Sequence, residues 1–512
     1  MFMPHEQTQG RHDVVVVLAA PTPKRVLFAT AELSPICRVG GLADASAGLV
    51  AALRRAGTHV DVVVPDYDGS PGLELRREDA LHLPDWASPA VARVGHIDGF
   101  GPVIAVRVPG IERPHPYNDP ITGLGWDDND RRFLRFSAAV AALAERLRPD
   151  VVHLNDWHTA AAAAWVPAEI PTILTIHNLV YQGDTDPSWL DRMGTRSHAF
   201  SHHDRCNPLA GGIELADRVV AVSPAYAMET RRPEHGAGLE QRLRARGSHY
   251  SGIRNGIDVT RWDPTNDPYL PASFGWDDLS GKDICRKELV GRVGFEDDGE
   301  PIIGIVSRFV DQKGIDLALE AVRSTRGMPG RVVFMGRGEP HLENAVLDMV
   351  GAHPDRIAYL RESRESLAHL VLAASDLFLV SSRFEPCGLT PMEAMSCGTI
   401  PIVTPVGGLR DSVVDASGDE SRGNGFIAPA ADPVGVSLAL SRAIRAWTDP
   451  VRRRTIQRVG MTSDWSWRGP ATAYADLYDA VCEERGYSSR VPLTALTSST
   501  ISVDAFEGAP LS

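Results

Sequence analysis

Residues 381–413 place one loop between two apolar segments, and the order of elements around that loop restricts the fold. A buried strand is predicted over 376–380, a helix over 390–396 and a second strand over 399–403. Strand, loop, helix and strand in this order form the unit that binds phosphorylated ligands beyond the carboxyl ends of parallel strands. Glu385 lies at the tip of the loop, directly before a helix whose free N–H groups attract anions.

The same alternation recurs in two series along the chain. Residues 24–64 give a strand, a glycine loop, an Ala-rich helix and a second strand, and a new series begins near residue 302 after a polar stretch over 260–298. Because the strands are continuous apolar runs, we expect both sheets to be parallel and covered by helices. The fold class is therefore α/β, with two Rossmann-like domains.

The length of 512 residues fits two domains. We predict an N-terminal domain over 24–280 and a C-terminal domain over 281–470. Residues 1–23 have one short apolar run without a preceding basic cluster, which is unlike a signal peptide, and we interpret them as a disordered leader. Residues 488–512 lack helical periodicity and are expected to be a disordered tail.

The amino-acid composition limits which classes of molecule this protein is expected to bind. A net charge of −14 argues against a nucleic-acid or anionic-membrane partner and favours a cytoplasmic protein, while leaving room for an anionic small molecule. The six cysteines are scattered without metal-binding spacing, so reduced thiols are expected. Only four of the 52 basic residues are lysines, and a lysine that persists, such as Lys313, is a candidate for a role that arginine does not fill.

Charged residues follow the strands of the second series. Arg308 and Lys313 come after its first strand, where two cations suit a diphosphate; the alternative for each is a solvated loop charge. Glu385 lies among apolar residues, so it should be partly buried and need a partner, which sugar hydroxyls would supply. The alternative for Glu385 is a cap on the following helix.

The loop after the first strand contains Gly40 and Gly41, flanked by Arg38 and Asp44. Two glycines permit a close approach of the backbone to a ligand, and a tight turn is an equally simple explanation. The two charged neighbours favour a polar ligand.

Two further strands end in polar side chains, and these side chains should meet at one edge of the first sheet. The first group is His153, Asp156, Trp157 and His158, and the second is His177 and Asn178. Hydrogen-bonded core residues are the simpler interpretation of a lone histidine, but two strands ending this way indicate a polar crevice. The chain has no GxSxG, HExxH or P-loop motif, so a hydrolase or kinase lacks its usual signature.

Taken in order, these segments resemble the bacterial glycogen synthase and plant starch synthase family. The resemblance covers about residues 24–478 and is carried by RVGGLAD (38–44), HPYND (115–119), HLNDWHTA (153–160), TIHNLVYQG (175–183), NGIDVTRWDP (255–264), SRFVDQKGIDL (307–317), SSRFEPCGLTPMEAMSCGTIPIV (381–403), VGGLRDSV (406–413) and DWSW…AYADLY (464–478). It implies a GT-B fold, in which an acceptor-side N-terminal domain and a nucleotide-sugar-binding C-terminal domain face each other across a deep cleft. It also implies that residues 471–487 form a helix crossing back to the N-terminal domain.

The activity implied is transfer of glucose from ADP-glucose to the non-reducing end of an α-1,4-glucan with retention of configuration. The residues implied as catalytic are Glu385 at the glucosyl hydroxyls, Lys313 and Arg308 at the diphosphate, and His177 at the glucose. Those implied in donor binding are Arg38, Gly40, Gly41, Asp44, Asn255, Gly388, Leu389 and Thr390. Those implied along the cleft or acceptor path are Tyr117, near the adenine or the cleft wall, and Asp156, Trp157 and Asn178.

On this account neither a cofactor nor a metal is needed, because cations and a helix N-terminus take up the charge of the leaving diphosphate. The family's first motif usually begins with Lys, whereas this chain has Arg38, which bears on donor affinity or nucleotide preference. Three alternatives remain: a GT-B transferase acting on a small sugar or sugar phosphate, a nucleotide-sugar isomerase, and a non-catalytic glucan-binding relative.

Overall fold

The computed structural model describes residues 24–325, 327–362, 364–418 and 421–486, and their strands form two large sheets. The predictions of disorder for 1–23 and 488–512 lie outside the described residues. The strands β1 to β17 are, in chain order, Arg25–Ala29, His59–Pro65, Leu73–Leu81, Ala90–Ile97, Gly101–Arg107, Val151–Asn155, Thr172–Ile176, Ser201–His202, Arg205–Cys206, Arg218–Ala221, Tyr250–Gly252, Ile302–Val306, Arg331–Met335, Ile357–Leu360, Leu377–Val380, Ile400–Val403 and Phe426–Ile427.

The α-helices α1 to α16 are, in chain order, Gly41–Arg55, Asn129–Leu147, Trp157–Ala160, Ser197–Phe200, Pro208–Leu215, Pro224–Glu229, Glu240–Ala245, Ser280–Val293, Ile315–Ser324, Pro340–Ala352, Glu365–Ala374, Leu389–Ser396, Leu409–Ser412, Pro433–Trp447, Pro450–Thr462 and Arg468–Glu484. Short 3₁₀ helices cover Ala161–Ala164, Pro187–Arg196, Gly247–His249 and Asp311–Lys313.

The first sheet has nine strands in the order β11-β10-β7-β6-β1-β2-β5-β4-β3. Neighbours from β11 to β5 are parallel, and at the centre Leu27 of β1 is in register with Val152 of β6 and Asp61 of β2. The prediction of an all-parallel sheet is wrong for β3 and β4, which pair antiparallel. The connections β3–β4 and β4–β5 are too short for the crossover that parallel neighbours require.

The second sheet has six strands in the order β14-β13-β12-β15-β16-β17, and all of its pairs are parallel, as predicted. Apolar clusters lie on both of its faces, with Phe378 in one and Phe334 in the other. Burial of both faces explains why these strands are continuous apolar runs in the sequence. β12 and β15 are neighbours, which brings the loops after these two strands together.

The last helix, α16, packs on α1 of the first half. Gly48 of α1 allows this approach, because a Cβ there would lie 2.1 Å from Nε1 of Trp467. Deeper in the same layer, the Tyr478 hydroxyl and Nδ1 of His153 on β6 are joined by a 2.7 Å hydrogen bond. The side chains of α16 thus belong to the core of the first sheet, together with Phe28 of β1. The domain boundaries at 280 and 470 stay predictions.

Candidate active site

A cavity of about 540 Å³ lies where the carboxyl ends of the two sheets face each other. Of the residues that the family resemblance implies at the site, all but Arg38 and Asp44 line it: Gly40, Gly41, Tyr117, Asp156, Trp157, His177, Asn178, Asn255, Arg308, Lys313, Glu385, Gly388, Leu389 and Thr390. His153, predicted at the same polar crevice, is instead fully buried in the core, where its two ring nitrogens are hydrogen-bonded to Tyr478 and Thr175. A smaller cavity of about 190 Å³ within the second half shares Arg308, Lys313, Glu385, Gly388 and Thr390 with the large cavity. The fold therefore assembles one site from segments that are hundreds of residues apart in the sequence.

Glu385 forms an ion pair with Lys313 on the second-half side of this cavity. Lys313 Nζ lies 2.6 Å from Glu385 Oε2, and the Ser382 hydroxyl donates to the same oxygen at 3.0 Å. The Glu385 residue is only 8% exposed, so its charge needs these partners. Arg308 lies at the surface of the cavity, and none of the ion pairs within the described ranges includes it. The carboxylate uses one of the three N–H groups of Lys313, and Arg308 remains available to an anion.

Two helix N-termini meet across the cavity, one from each half. α1 begins at Gly41 and α12 at Leu389, and neither has a side-chain cap. A Cβ on Gly41 would lie 3.4 Å from Cδ1 of Leu389, which is van der Waals contact. Gly388 has a φ of 77°, and a Cβ there would lie 2.6 Å from Leu409, so glycine is required at this turn. Uncapped N–H groups and helix dipoles on both sides make this a favourable position for phosphate oxygens.

His177 is held as a neutral ring at the first-half side of the cavity. Asn155 donates through Nδ2 to the Ala29 carbonyl at 2.9 Å, so its Oδ1 accepts from Nε2 of His177, also at 2.9 Å. Desolvation by the surrounding protein lowers the pKa of His177 to about 3. This network leaves Nδ1 without a proton, and Nδ1 is therefore an acceptor for a hydroxyl group.

Asp156 connects the ends of β6 and β7. Its Oδ1 accepts from the backbone N–H groups of His177 at 2.7 Å and Asn178 at 3.3 Å. Burial raises the pKa of Asp156 to about 7, against the effect of these two donors. Its backbone has a φ of 56°, a conformation that costs energy in a non-glycine residue. Trp157 follows as the inner wall, and Gly183 contacts it so closely that a Cβ would lie 2.1 Å from the indole.

Tyr117 and Glu32 form the wall beside the Gly40 loop. The Tyr117 hydroxyl donates to Glu32 Oε1 at 2.7 Å, and the Tyr117 ring lies 6.1 Å from Phe133 between ring centroids. This geometry favours the cleft wall over adenine contact for Tyr117. Glu32 also lines the cavity, although no sequence pattern predicts it there. Asn255, which also lines the cavity, is buried, and its backbone N–H donates to the Val222 carbonyl at 3.2 Å.

Arg38 and Asp44 lie beside the residues that line the cavity, and their role in donor binding stays a prediction. The Arg38 guanidinium lies 2.9 Å from Asp44 and 3.6 Å from Glu365, and Arg261 lies 3.3 Å from Asp44 and 2.5 Å from Glu365. We call these four residues the rim network. The planar guanidinium of Arg38 can reach carboxylates on both sides, so its charge is satisfied between the halves and not inside the cavity.

Comparison with known proteins agrees with this geometry. A family model described as the starch synthase catalytic domain matches residues 25–245, and one described as glycosyl transferases group 1 matches residues 288–459. The glycogen synthase of Aromatoleum aromaticum is 37% identical over 482 residues, which are 89% of this chain and 97% of that protein. The chain belongs to the glycogen synthase family. A second member, from Halorhodospira halophila, is 36% identical over 90% of this chain and 100% of its own length.

A solved structure of the same family supports the fold. The catalytic domain of starch synthase IV from Arabidopsis thaliana, bound to ADP and acarbose, matches with a TM-score of 0.80 and 32% identity, covering 90% of this chain and 100% of that one. The predicted GT-B fold is therefore confirmed, and so is the prediction of a glucosyltransferase of the glycogen and starch synthase class.

Two features are absent from the described residues of this family member. No group of three or more His, Cys, Asp or Glu side chains there is arranged to hold a metal ion. No helix in the described ranges is both long enough and apolar enough to cross a bilayer.

Proposed function

We propose that this glycogen synthase family member transfers glucose from ADP-glucose to the non-reducing end of an α-1,4-glucan, with retention of configuration. The observation that carries the proposal is the polarity of the large cavity. One end offers Arg308 and Lys313 together with the two uncapped helix N-termini that meet across the cavity, and the first-half side offers the neutral acceptor of His177. A nucleotide diphosphate joined to a sugar has this same division between an anionic part and a neutral, hydroxyl-rich part.

The diphosphate would bind at the start of α12. The free N–H groups of Leu389 and Thr390 would take the distal phosphate, and Arg308 and Lys313 would contact the bridging region. A Cβ built on Gly41 would lie 3.4 Å from Leu389, so the α1 N-terminus is close enough to add its dipole. Charge that develops on the leaving group would thus meet fixed positive groups in a site with little water.

The glucosyl group would lie between Glu385 and His177. The second oxygen of Glu385 is available to accept from sugar hydroxyls while Oε2 stays paired with Lys313. Nδ1 of His177 would accept from another hydroxyl on the opposite side. Asp156, Trp157 and Asn178 would line the path along which the glucan chain end enters.

The reaction would occur on one face of the sugar. In a front-face displacement, the acceptor hydroxyl attacks the anomeric carbon as the bond to the diphosphate breaks, and the leaving phosphate oxygen takes the hydroxyl proton. The roles left to the protein are charge stabilisation by Arg308, Lys313 and the α12 N-terminus, and exclusion of water between the two halves.

The test is the initial rate of transfer of radiolabelled glucose into glycogen from ADP-glucose, UDP-glucose and GDP-glucose in parallel. We expect ADP-glucose to be the preferred donor and the label to appear in a product that an α-1,4-glucan hydrolase digests. Labelled disaccharide formed on free glucose or a sugar phosphate, with none in glycogen, would support the small-acceptor transferase. Conversion of the donor without any acceptor would support an isomerase. We also propose that the protein is located in the cytoplasm.

A further inference from the structure

Glu32 is a buried carboxylate whose partners are all donors of the cleft wall. It follows β1, is 4% exposed and lines the large cavity. Oε2 accepts from the backbone N–H groups of Val39 at 2.8 Å and Gly40 at 2.9 Å, and Oε1 accepts from the Tyr117 hydroxyl at 2.7 Å. Across the described part of the chain, none of the ion pairs involves Glu32. Its charge is therefore met by oriented N–H and O–H groups alone.

These three bonds fix the shape of the loop that leads into α1. The carboxylate draws Val39 and Gly40 back towards the end of β1, and α1 then starts at Gly41. The same carboxylate ties this loop to Tyr117, which comes from a different segment of the wall. The position of Gly41 against Leu389 depends on this arrangement, and that contact is where the two halves approach at the helix N-termini.

We propose that Glu32 is a positioning residue of the transferase, whose carboxylate holds the Val39–Gly40 loop and Tyr117 as one rigid wall and thereby sets the donor-binding gap between α1 and α12. This inference rests on the proposed function. Glu32 acts through the loop and the tyrosine, and it makes its contribution by placing Gly41. A shift of about 1 Å in such a contact can reduce catalysis about 100-fold.

Three substitutions of Glu32 distinguish the effect of the position of its oxygen atoms from the effect of its negative charge. In Glu32→Gln, the amide oxygen can still accept from both backbone N–H groups, and the amide nitrogen can donate to the Tyr117 oxygen. In Glu32→Asp, the charge remains but the carboxylate recedes by one C–C bond, about 1.5 Å. Glu32→Ala removes all three acceptors. If position matters, Gln should preserve activity better than Asp, although Asp preserves the charge.

The experiment measures kcat and the donor and glycogen KM values for these variants and for wild type. Glu32→Ala and Glu32→Asp should lower kcat/KM for the donor about 100-fold, and Glu32→Gln should stay within about tenfold of wild type. Tyr117→Phe, which removes only one of the three bonds, should lose a few-fold. Glu74→Asp and Glu74→Gln, at an exposed residue of the edge strand β3, are the matched controls and should leave the rates unchanged.

Two results would overturn the proposal. Better activity of Glu32→Asp than of Glu32→Gln would show that charge, and not position, is what the site uses. Equal losses in all three variants, with an unchanged donor KM and a reduced fraction of folded enzyme by circular dichroism, would show a purely structural role. If the wild-type enzyme makes no glucan under the same conditions, the proposed function itself fails. This outcome is distinct from any ranking of the three variants by activity.

Discussion

The ion pair between Lys313 and Glu385 provides the sharpest test of the site, because its two members should act as a unit. Their side chains are 21% and 11% exposed and 2.6 Å apart, so the pair is largely removed from solvent. Losing one preorganised electrostatic contact to the transition state costs about 2.7–4 kcal/mol, and the partial exposure here favours the lower end, about 3 kcal/mol. At 1.36 kcal/mol per factor of ten, this corresponds to a loss of about 100-fold or more in kcat for Lys313→Ala or Glu385→Ala.

The double variant makes the prediction quantitative. Once one partner is gone, removal of the other should cost little, so Lys313→Ala/Glu385→Ala should be about as active as the poorer single variant. Independent contributions would instead multiply to about 10⁴-fold. The assay is single-turnover transfer from ADP-glucose to glycogen, with Lys24→Ala as the control, since Lys24 forms a surface pair with Asp479 at 3.6 Å. Multiplicative losses, or near-normal turnover in either single variant, would refute the assignment.

Three other predictions concern the rim network, a buried lysine and a titrating carboxyl. Arg261→Gln, which removes two ion pairs of the rim network, should raise the donor KM about threefold at low salt. Because these charges are partly exposed, the increase in KM should vanish at about 1 M salt. An increase that does not depend on salt would contradict this prediction. Lys282→Met should lower the free energy of unfolding, measured by urea titration, by about 2–4 kcal/mol. The reason is that Lys282 Nζ donates to two carbonyls and to the Thr399 hydroxyl at 2.7–2.9 Å. The control Lys287→Met, on the exposed face of the same helix, should leave the free energy of unfolding unchanged. The pKa of Asp156 is raised from 3.8 to about 7. The protonated carboxyl group therefore stabilises the folded state fully below the lower pKa, and this stabilisation is lost as the pH rises through the upper pKa. The free energy of unfolding of Asp156→Asn should therefore fall less than that of wild type between about pH 4 and about pH 8, and parallel curves would disprove the shift.

The sequence was most informative where residue type and topology act together. Lys313 and Glu385 are 72 residues apart, yet both follow apolar strands, β12 and β15, that prove to be neighbours. In parallel sheets, the loops after adjacent strands meet at one edge, so the polar residues after each strand could be assigned to a common site. The glycines were likewise informative, because at Gly388 the backbone conformation excludes other residues.

Features that depend on distant or main-chain partners were not predictable in this way. The strand β3 is rich in charged residues because it is an exposed edge, and nothing in its composition distinguishes it from a loop. The partners of Glu32 include two backbone N–H groups, which carry no sequence signal. The ion pair of Arg38 with Glu365 could not be predicted, because Glu365 comes from the other half of the molecule.

The position of α16 has a consequence for how the polypeptide is made. The first sheet is finished at Gly252 of β11, but the layer that covers β1 and β6 is supplied by Tyr474 and Tyr478, roughly 230 residues later. At about 5–20 residues per second, the ribosome needs on the order of 10–50 s to reach them. During that interval the nascent first half exposes an apolar face, and only the emergence of α16 closes it. Emergence of α16 from the ribosome is thus the step that completes the core of the first sheet.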